Sequence, residues 1–256
     1  MKPNRLKQRM LANDPTLLNG WLTLGSIASA EIMAHQPWDS LTIDMQHGLS
    51  DDETSINMLR AISTTDVTPM VRVPWLDPAL IMRMLDAGAY GIICPMINTR
   101  AQCEEFVSCC RYAPQGARSF GPTRAPLYAG EDYWKNANDT VLTFAMIETR
   151  QAVEAVDDIV SVPGLDGVYI GPSDLSLTLG LDPSAGLDHP DLLAAVDKVH
   201  AAAKRAGKFT AMHCNPIDYA KRMEARGFSL RTVSNDSRFI ALAAQELFRQ
   251  LKPAKA

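Results

Sequence analysis

No cysteine pair in this 256-residue chain has CxxC spacing, and the cysteines are odd in number: Cys94, Cys103, Cys109, Cys110 and Cys214. That pattern argues against a disulfide framework and against zinc held by thiolates. A reducing, cytoplasmic setting fits it best, with the five thiols as small apolar fillers. Long apolar runs are missing too. Nothing approaches a membrane span, and the charged opening "MKPNRLKQRMLAND" lacks the apolar centre of a signal peptide. Lys and Arg number 25 against 29 Asp and Glu, and they are scattered, so no basic stripe points to nucleic acid or a membrane surface as partner. Neither GxGxxG nor GxxxxGK(S/T) follows any apolar run, so the common nucleotide-phosphate loops are absent.

What is present is alternation. The chain is 46% hydrophobic and 21% charged, an ordinary globular composition with length enough for a large core. Short apolar runs recur at 20–25, 40–45, 69–73, 90–96, 141–148, 167–171, 208–213 and 230–234. Amphipathic stretches of helical spacing lie between them, among them "DPALIMRMLDAG", where Leu80, Met84 and Leu85 share a face and Gly88 stops the helix. Others cover 99–112, 189–207 and 215–227. Strand-then-helix order, repeated about eight times, implies a parallel sheet. In this length it is the arithmetic of a closed (β/α)8 barrel, a TIM barrel, with an open doubly wound sheet as runner-up. No linker breaks the composition, so residues 1–256 are expected to form one barrel domain, with a frayed tail at 252–256.

Residues 113–139 are too long for a simple connection. Two readings stay open: a surface excursion over the rim, or a lid or subunit contact that brings Arg118 or Arg124 to an acidic substrate.

In such a barrel the chemistry sits where strands end. The second apolar run ends with Asp44 and His47, the third with Arg72, the fifth with Glu148, the sixth with Asp174 and the seventh with His213. Each alone is more often a solvated or packed residue, and that reading is applied to His213 as to His35, His189 and His200. Together, several hits on one face point to a site. Glu148 and Asp174 are hard oxygen donors that suit Mg²⁺ or Mn²⁺ with positions left for water and substrate. An arginine fits a carboxylate or a developing enolate oxygen, and a histidine with an aspartate in reach fits a general base. That set describes enolate chemistry on a 2-oxo acid. A Schiff-base lysine would have to lie inside the barrel, and Lys208 begins its strand at the opposite rim.

The stretches "GWLTLGS", "WDSLTIDMQHG", "VRVPWLDPALIMRMLDAGAYGIICPM", "RYAPQGARSFGP", "MIET", "GLDGVYIGPSDLS" and "HPDLLAA", taken in order, cover nearly the whole chain. In these the chain resembles the HpcH/HpaI aldolase family, the class II pyruvate aldolases. The resemblance implies a (β/α)8 barrel whose last helix swaps between subunits of a homo-oligomer, a hexamer built as a trimer of dimers. It implies a divalent-metal cofactor (Mg²⁺, Mn²⁺ or Co²⁺) and reversible cleavage of 4-hydroxy-2-oxo acids to pyruvate, or a related 2-oxo acid, and an aldehyde. By the same resemblance Glu148 and Asp174 bind the metal and Arg72 stabilises the pyruvate enolate. His47 is the base, Asp44 the acid paired with it, and Asp86 a further acid that raises its basicity. The backbone around Ser173 and Asp174 holds the substrate carboxylate, Gly171 allows its close approach, and Trp21 lies near the aldehyde. Two positions depart from the family: Gln46, where many members have Glu, and Met146, where many have a substrate-binding Gln whose amide Met cannot replace. The metal site should survive these changes and the substrate preference should shift. A lyase or synthase of the same superfamily, acting on a thioester or phosphorylated pyruvate, is the alternative.

Overall fold

In a computed structural model describing residues 1–252, eight parallel strands close into one barrel. They are β1 (Leu18–Leu22), β2 (Ser40–Asp44), β3 (Thr68–Arg72), β4 (Gly91–Cys94), β5 (Leu142–Ile147), β6 (Gly167–Ile170), β7 (Phe209–His213) and β8 (Leu230–Thr232). Closure comes from β1 pairing β8 through Leu18–Arg231 and Asn19–Thr232, which rules out the open sheet. Positions 253–256, most of the segment expected to fray, lie outside the described residues.

Strand period sorts the side chains into two cores. On β2, Leu41 and Ile43 face outward into the layer between barrel and helices, while Ser40, Thr42 and Asp44 face the lumen. On β5, Ala145 and Ile147 point out, and Leu142, Phe144 and Met146 join Met70, Ile93, Tyr169 and Leu230 inside. The amino-terminal helix Arg5–Leu11 adds Leu6 and Met10 to that inner cluster and plugs the end where strands begin. Asn4 fastens it there by donating to the carbonyls of Tyr90 and Thr140.

The helix expected after β3 runs Pro78–Asp86. Asp77 caps it by accepting from the N–H groups of Ala79 and Leu80, Pro78 opens it, and Gly88 at φ +103° turns the chain away. Its buried face is Ile81, Met84 and Leu85, with Leu80 at the margin. The first strand begins at Leu18, two residues before the expected start at Gly20. That glycine is in the strand because a Cβ there would sit 2.5 Å from Leu41 Cδ2 and against the Trp38 ring.

Residues 113–139 do not cover the site within the chain. They follow the helix Arg100–Cys110 and precede β5, so they lie at the end where strands begin, and they carry the helix Ala125–Ala129 and most of Tyr133–Thr140. Arg118, buried, bonds Asp86 at 2.6 Å and Tyr133 Oη at 3.0 Å and lies over the Tyr112 ring. Arg124 donates to the Ala87 carbonyl and to Ser63 Oγ. Both arginines stitch the base of the barrel and neither reaches the opposite face.

Candidate active site at the carboxyl ends of the strands

A cleft of about 490 Å³ opens where the strands end, lined by Trp21, Asp44, His47, Arg72, Met146, Gly171, Ser173, Asp174 and His213. Lumen-facing parity on β1, β2, β3, β5 and β7 delivers Trp21, Asp44, Arg72, Met146 and His213 to the cleft.

The buried centre of this cleft is an ion pair. Arg72 grips Asp44 with two parallel bonds, Nε to Oδ1 at 2.9 Å and NH2 to Oδ2 at 2.6 Å. Trp21 Nε1 donates to Asp44 Oδ2 at 3.1 Å, and the Arg72 guanidinium lies 4.9 Å from the Trp21 ring. Burial alone would raise the Asp44 carboxyl. The bonds and charge of Arg72, with the Trp21 and His47 N–H groups, outweigh it and hold the carboxyl below its usual value. The third guanidinium nitrogen, NH1, has only a long contact of 3.9 Å to the Met146 sulfur, so it is available to the cleft.

Glu148 follows β5 directly. Its Oε1 accepts from the Met96 N–H at 2.8 Å, and Met96 holds a left-handed φ of +56° to present that group. Its Oε2 is buried with no hydrogen-bond partner. Burial pushes the carboxyl up to about 7; the Met96 N–H opposes this, the Asp174 charge adds to it, and Arg72 offsets part. An orphaned carboxylate oxygen beside a second acid is a mark of a cation site. Among the described residues no three His, Cys, Asp or Glu side chains converge, so a cation here would rest on Glu148 and Asp174 and complete its shell with water or substrate. These residues fit a hard divalent ion.

Gly171 follows β6 as the N-cap of the helix Pro172–Thr178, and Asp174 lies in the first turn of that helix. A Cβ on Gly171 would come within 2.5 Å of Glu148 Oε2 and 2.6 Å of Met146 Cε. Gly171→Ala is therefore expected to leave the barrel folded and to weaken Mn²⁺ binding by roughly 10–100-fold, the usual cost of disturbing a ligand's support. Titration calorimetry with Mn²⁺ checks this, and unaltered affinity would detach Glu148 from the metal.

Two expected placements differ within the chain. Asp44 does not touch the His47 imidazole: its oxygens are taken by Arg72 and Trp21, and it reaches His47 only by accepting the backbone N–H at 3.3 Å. It thus shapes the 45–47 turn rather than the imidazole, and His47 stands exposed at the lip of the cleft. Asp86 is not brought to His47 within the chain. Its helix runs back against the strands, so its last residue lies at the opposite end, paired with Arg118. Ser173, exposed, and Trp21, buried, are where the sequence put them, and Met146 lines the cleft beside Arg72. One residue was passed over. His213 lines the cleft and meets the Trp21 ring edge-on at 4.4 Å, whereas His200 stacks on Phe228 on the helix side. The missed signal was parity: His213 stands two residues beyond Ala211, which points inward.

Comparison with known proteins agrees with this fold. Residues 18–241 match the model of the HpcH/HpaI aldolase/citrate lyase family. The chain is 42% identical over 230 residues to a hydroxypyruvate/pyruvate aldolase of Rhizorhabdus wittichii, covering 90% of this chain and 92% of that protein. It is 33% identical over 247 residues to a 4-hydroxy-2-oxo-heptane-1,7-dioate aldolase of Escherichia coli, covering 95% and 93%. A crystal structure of a HpcH/HpaI aldolase/citrate lyase family protein from Burkholderia cenocepacia superposes with a TM-score of 0.90 at 33% identity, covering 97% of this chain and 99% of that one.

Proposed function

The chain belongs to the HpcH/HpaI aldolase/citrate lyase family and is a carbon–carbon lyase; from that membership and the cleft we propose reversible, metal-dependent aldol cleavage of 4-hydroxy-2-oxo acids to pyruvate, or a related 2-oxo acid, and an aldehyde. The observation that carries the proposal is the unpartnered Glu148 Oε2 next to Asp174, across from the open face of Arg72.

A divalent cation held by Glu148 and Asp174 would polarise the 2-oxo group and take up negative charge as it develops. Oxygen donors of this kind accept Mg²⁺, Mn²⁺ and Co²⁺. The substrate carboxylate is received at Ser173 and Asp174, whose N–H groups in the first helical turn have no intrahelical acceptor. Arg72, held rigid by Asp44, turns NH1 to the oxygen that becomes the enolate. His47 takes the proton of the 4-hydroxyl, the C3–C4 bond breaks, and the aldehyde leaves along the Trp21 side. A proton returned to C3 completes pyruvate.

The proposal extends to assembly. The last helix, Asp236–Leu251, leaves Ile240, Leu247, Phe248 and Leu251 exposed. Such an apolar face supports a homo-oligomer, with the hexamer as its expected form. Among the described residues no helix is long and apolar enough to cross a membrane.

Protein stripped with a chelator is expected to release no pyruvate from a 4-hydroxy-2-oxo acid, and to recover on addition of Mg²⁺ or Mn²⁺. Activity that survives chelation would remove the metal from the mechanism. Failure to release pyruvate with any metal and any aldehyde length would favour a thioester or phosphorylated-pyruvate substrate.

A further inference from the structure

Glu148 owes its orientation to a neighbouring loop as well as to β5. Residues 95–99 join β4 to the helix Arg100–Cys110, and Met96 among them has φ +56°. A non-glycine residue enters that region rarely and stays only where its surroundings hold it. Met96 is held at both of its backbone polar groups. Its N–H donates to Glu148 Oε1 at 2.8 Å, and its carbonyl accepts from Asn98 Nδ2 at 3.0 Å.

Asn98 is fixed in turn. Its own N–H donates at 2.8 Å to Oε1 of Gln102, in the first turn of the helix that Thr99 caps. Its Oδ1 accepts from Thr149 Oγ1. The partners leave one assignment of protons. A carbonyl only accepts, so the Asn98 amide nitrogen faces Met96 and its oxygen faces Thr149. An amide oxygen cannot donate, so the proton between them comes from Thr149. A lone pair of the same hydroxyl takes the Ala152 N–H at 3.0 Å, capping the helix Arg150–Glu154.

These bonds close a ring. It runs from Glu148 through Met96 and Asn98 to Thr149, which is the next residue after Glu148 in the chain. The ring clamps Oε1 on the side of β4 and leaves Oε2 on the side of Gly171 and Asp174. The side chains of Asn98 and Thr149 bond only within the ring and to a helix start, so neither acts on a substrate directly.

We propose that Asn98, clipped by Thr149, is a positioning residue for the metal site. It holds Met96 in the left-handed conformation that fixes Glu148 with one oxygen bonded and the other presented to a divalent cation. This inference rests on the metal-dependent aldolase reading above.

The test is titration calorimetry of chelator-stripped protein with Mn²⁺, with melting temperatures of the same metal-free samples alongside. Asn98→Ala should weaken Mn²⁺ binding about tenfold, the lower end of what losing a ligand's support costs. Its pyruvate release should fall at limiting Mn²⁺ and return to within about threefold of wild type at saturating Mn²⁺, as expected when binding and not chemistry is disturbed. Thr149→Val opens the ring from the other side and should cost about as much. The double variant should lose no more than either single one, because both changes break one ring. Thr149→Ser keeps the hydroxyl and should restore most of the affinity that Thr149→Val loses; this pair gives the answer if Asn98→Ala fails to fold. A lower melting temperature with unchanged Mn²⁺ affinity would make the ring a brace of the fold and overturn the proposal. Losses that multiply in the double variant, or activity that stays low in saturating Mn²⁺, would overturn it as well. Each of these leaves the aldolase reading standing. Failure of the wild-type protein to bind Mn²⁺ at all overturns both.

Discussion

Glu148→Gln is expected to cut pyruvate release by about a thousandfold, the scale on which one electrostatic contact to a developing charge acts, and at the same time to make the metal-free protein harder to unfold at pH 7.5. The two effects have one cause. Glu148 is buried with one oxygen bonded to Met96 and the other to nothing, and that burial raises its carboxyl from 4.5 to about 7. A raised carboxyl means the folded protein resists ionising it. Below about pH 4.5 the acid is protonated in both folded and unfolded chains and costs nothing. As pH rises from 4.5 to about 7 the unfolded chain loses the proton first, and folding stability falls. Above 7 the full penalty is present, on the order of 3 kcal/mol at about 1.4 kcal/mol per pH unit of displacement. Glutamine keeps the bond to Met96 and carries no charge, so the variant escapes that penalty. In a chelator, wild type and variant should melt together near pH 4.5 and separate by several degrees, about 5–10 °C, at pH 7.5. Coincident melting at both pH values would mean Glu148 is not an ionised, unsatisfied group in the free enzyme, and retained activity would end its role as a ligand. The destabilising charge is what a cation would relieve.

Arg72→Met should be the most damaging single change to stability. Asp44 and Arg72 are 2% and 7% exposed as side chains, so neither can turn to solvent when its partner goes. Breaking such a buried pair costs about 3–5 kcal/mol, roughly 10 °C in melting temperature for a chain of this size. Catalysis should fall with it, because NH1 is the guanidinium nitrogen facing the cleft. Arg72→Lys should lie between, since one ammonium cannot bridge both Asp44 oxygens. The informative variant is the double one. Asp44→Leu with Arg72→Met removes both charges, and most of the lost stability should return while activity does not. Recovery of activity in the double variant would show that the pair only braces the fold. A melting temperature for Arg72→Met within two or three degrees of wild type, on the order of 1 kcal/mol, would show that water reaches Asp44.

The eight strands, their parallel order and the residues at their ends were legible because these are local properties of the chain. An apolar run read two residues at a time gives the strand and its faces, and the position where it turns polar marks the lip. Asp44, Arg72 and Glu148 follow from that alone. Several runs were read two or three residues too far at their ends, and the one strand start misplaced by more than a residue, at Gly20, failed because a glycine that admits Leu41 and Trp38 looks like a chain breaker. The helix Pro78–Asp86 was legible for the same reason, from its cap and its apolar spacing.

What the residues do to one another depends on register and on the direction in which each element runs, and neither is written in any short stretch. Asp44 and His47 lie three apart, which suggests a pair, yet barrel register sets Asp44 directly opposite Arg72 and the carboxylate goes there. Asp86 and Arg118 sit among matching motifs, but a helix returning along a parallel strand carries its last residue to the far end. His200 and His213 look alike in sequence, and only closure of β8 on β1 brings Thr232 and Asn19 under Tyr169, the hydroxyl that meets His213 at the cleft. The sequence by itself determined the barrel and which end of it carries charge. Tertiary structure decided the partners, because hydrogen bonds and ion pairs form across strands that are distant in the chain.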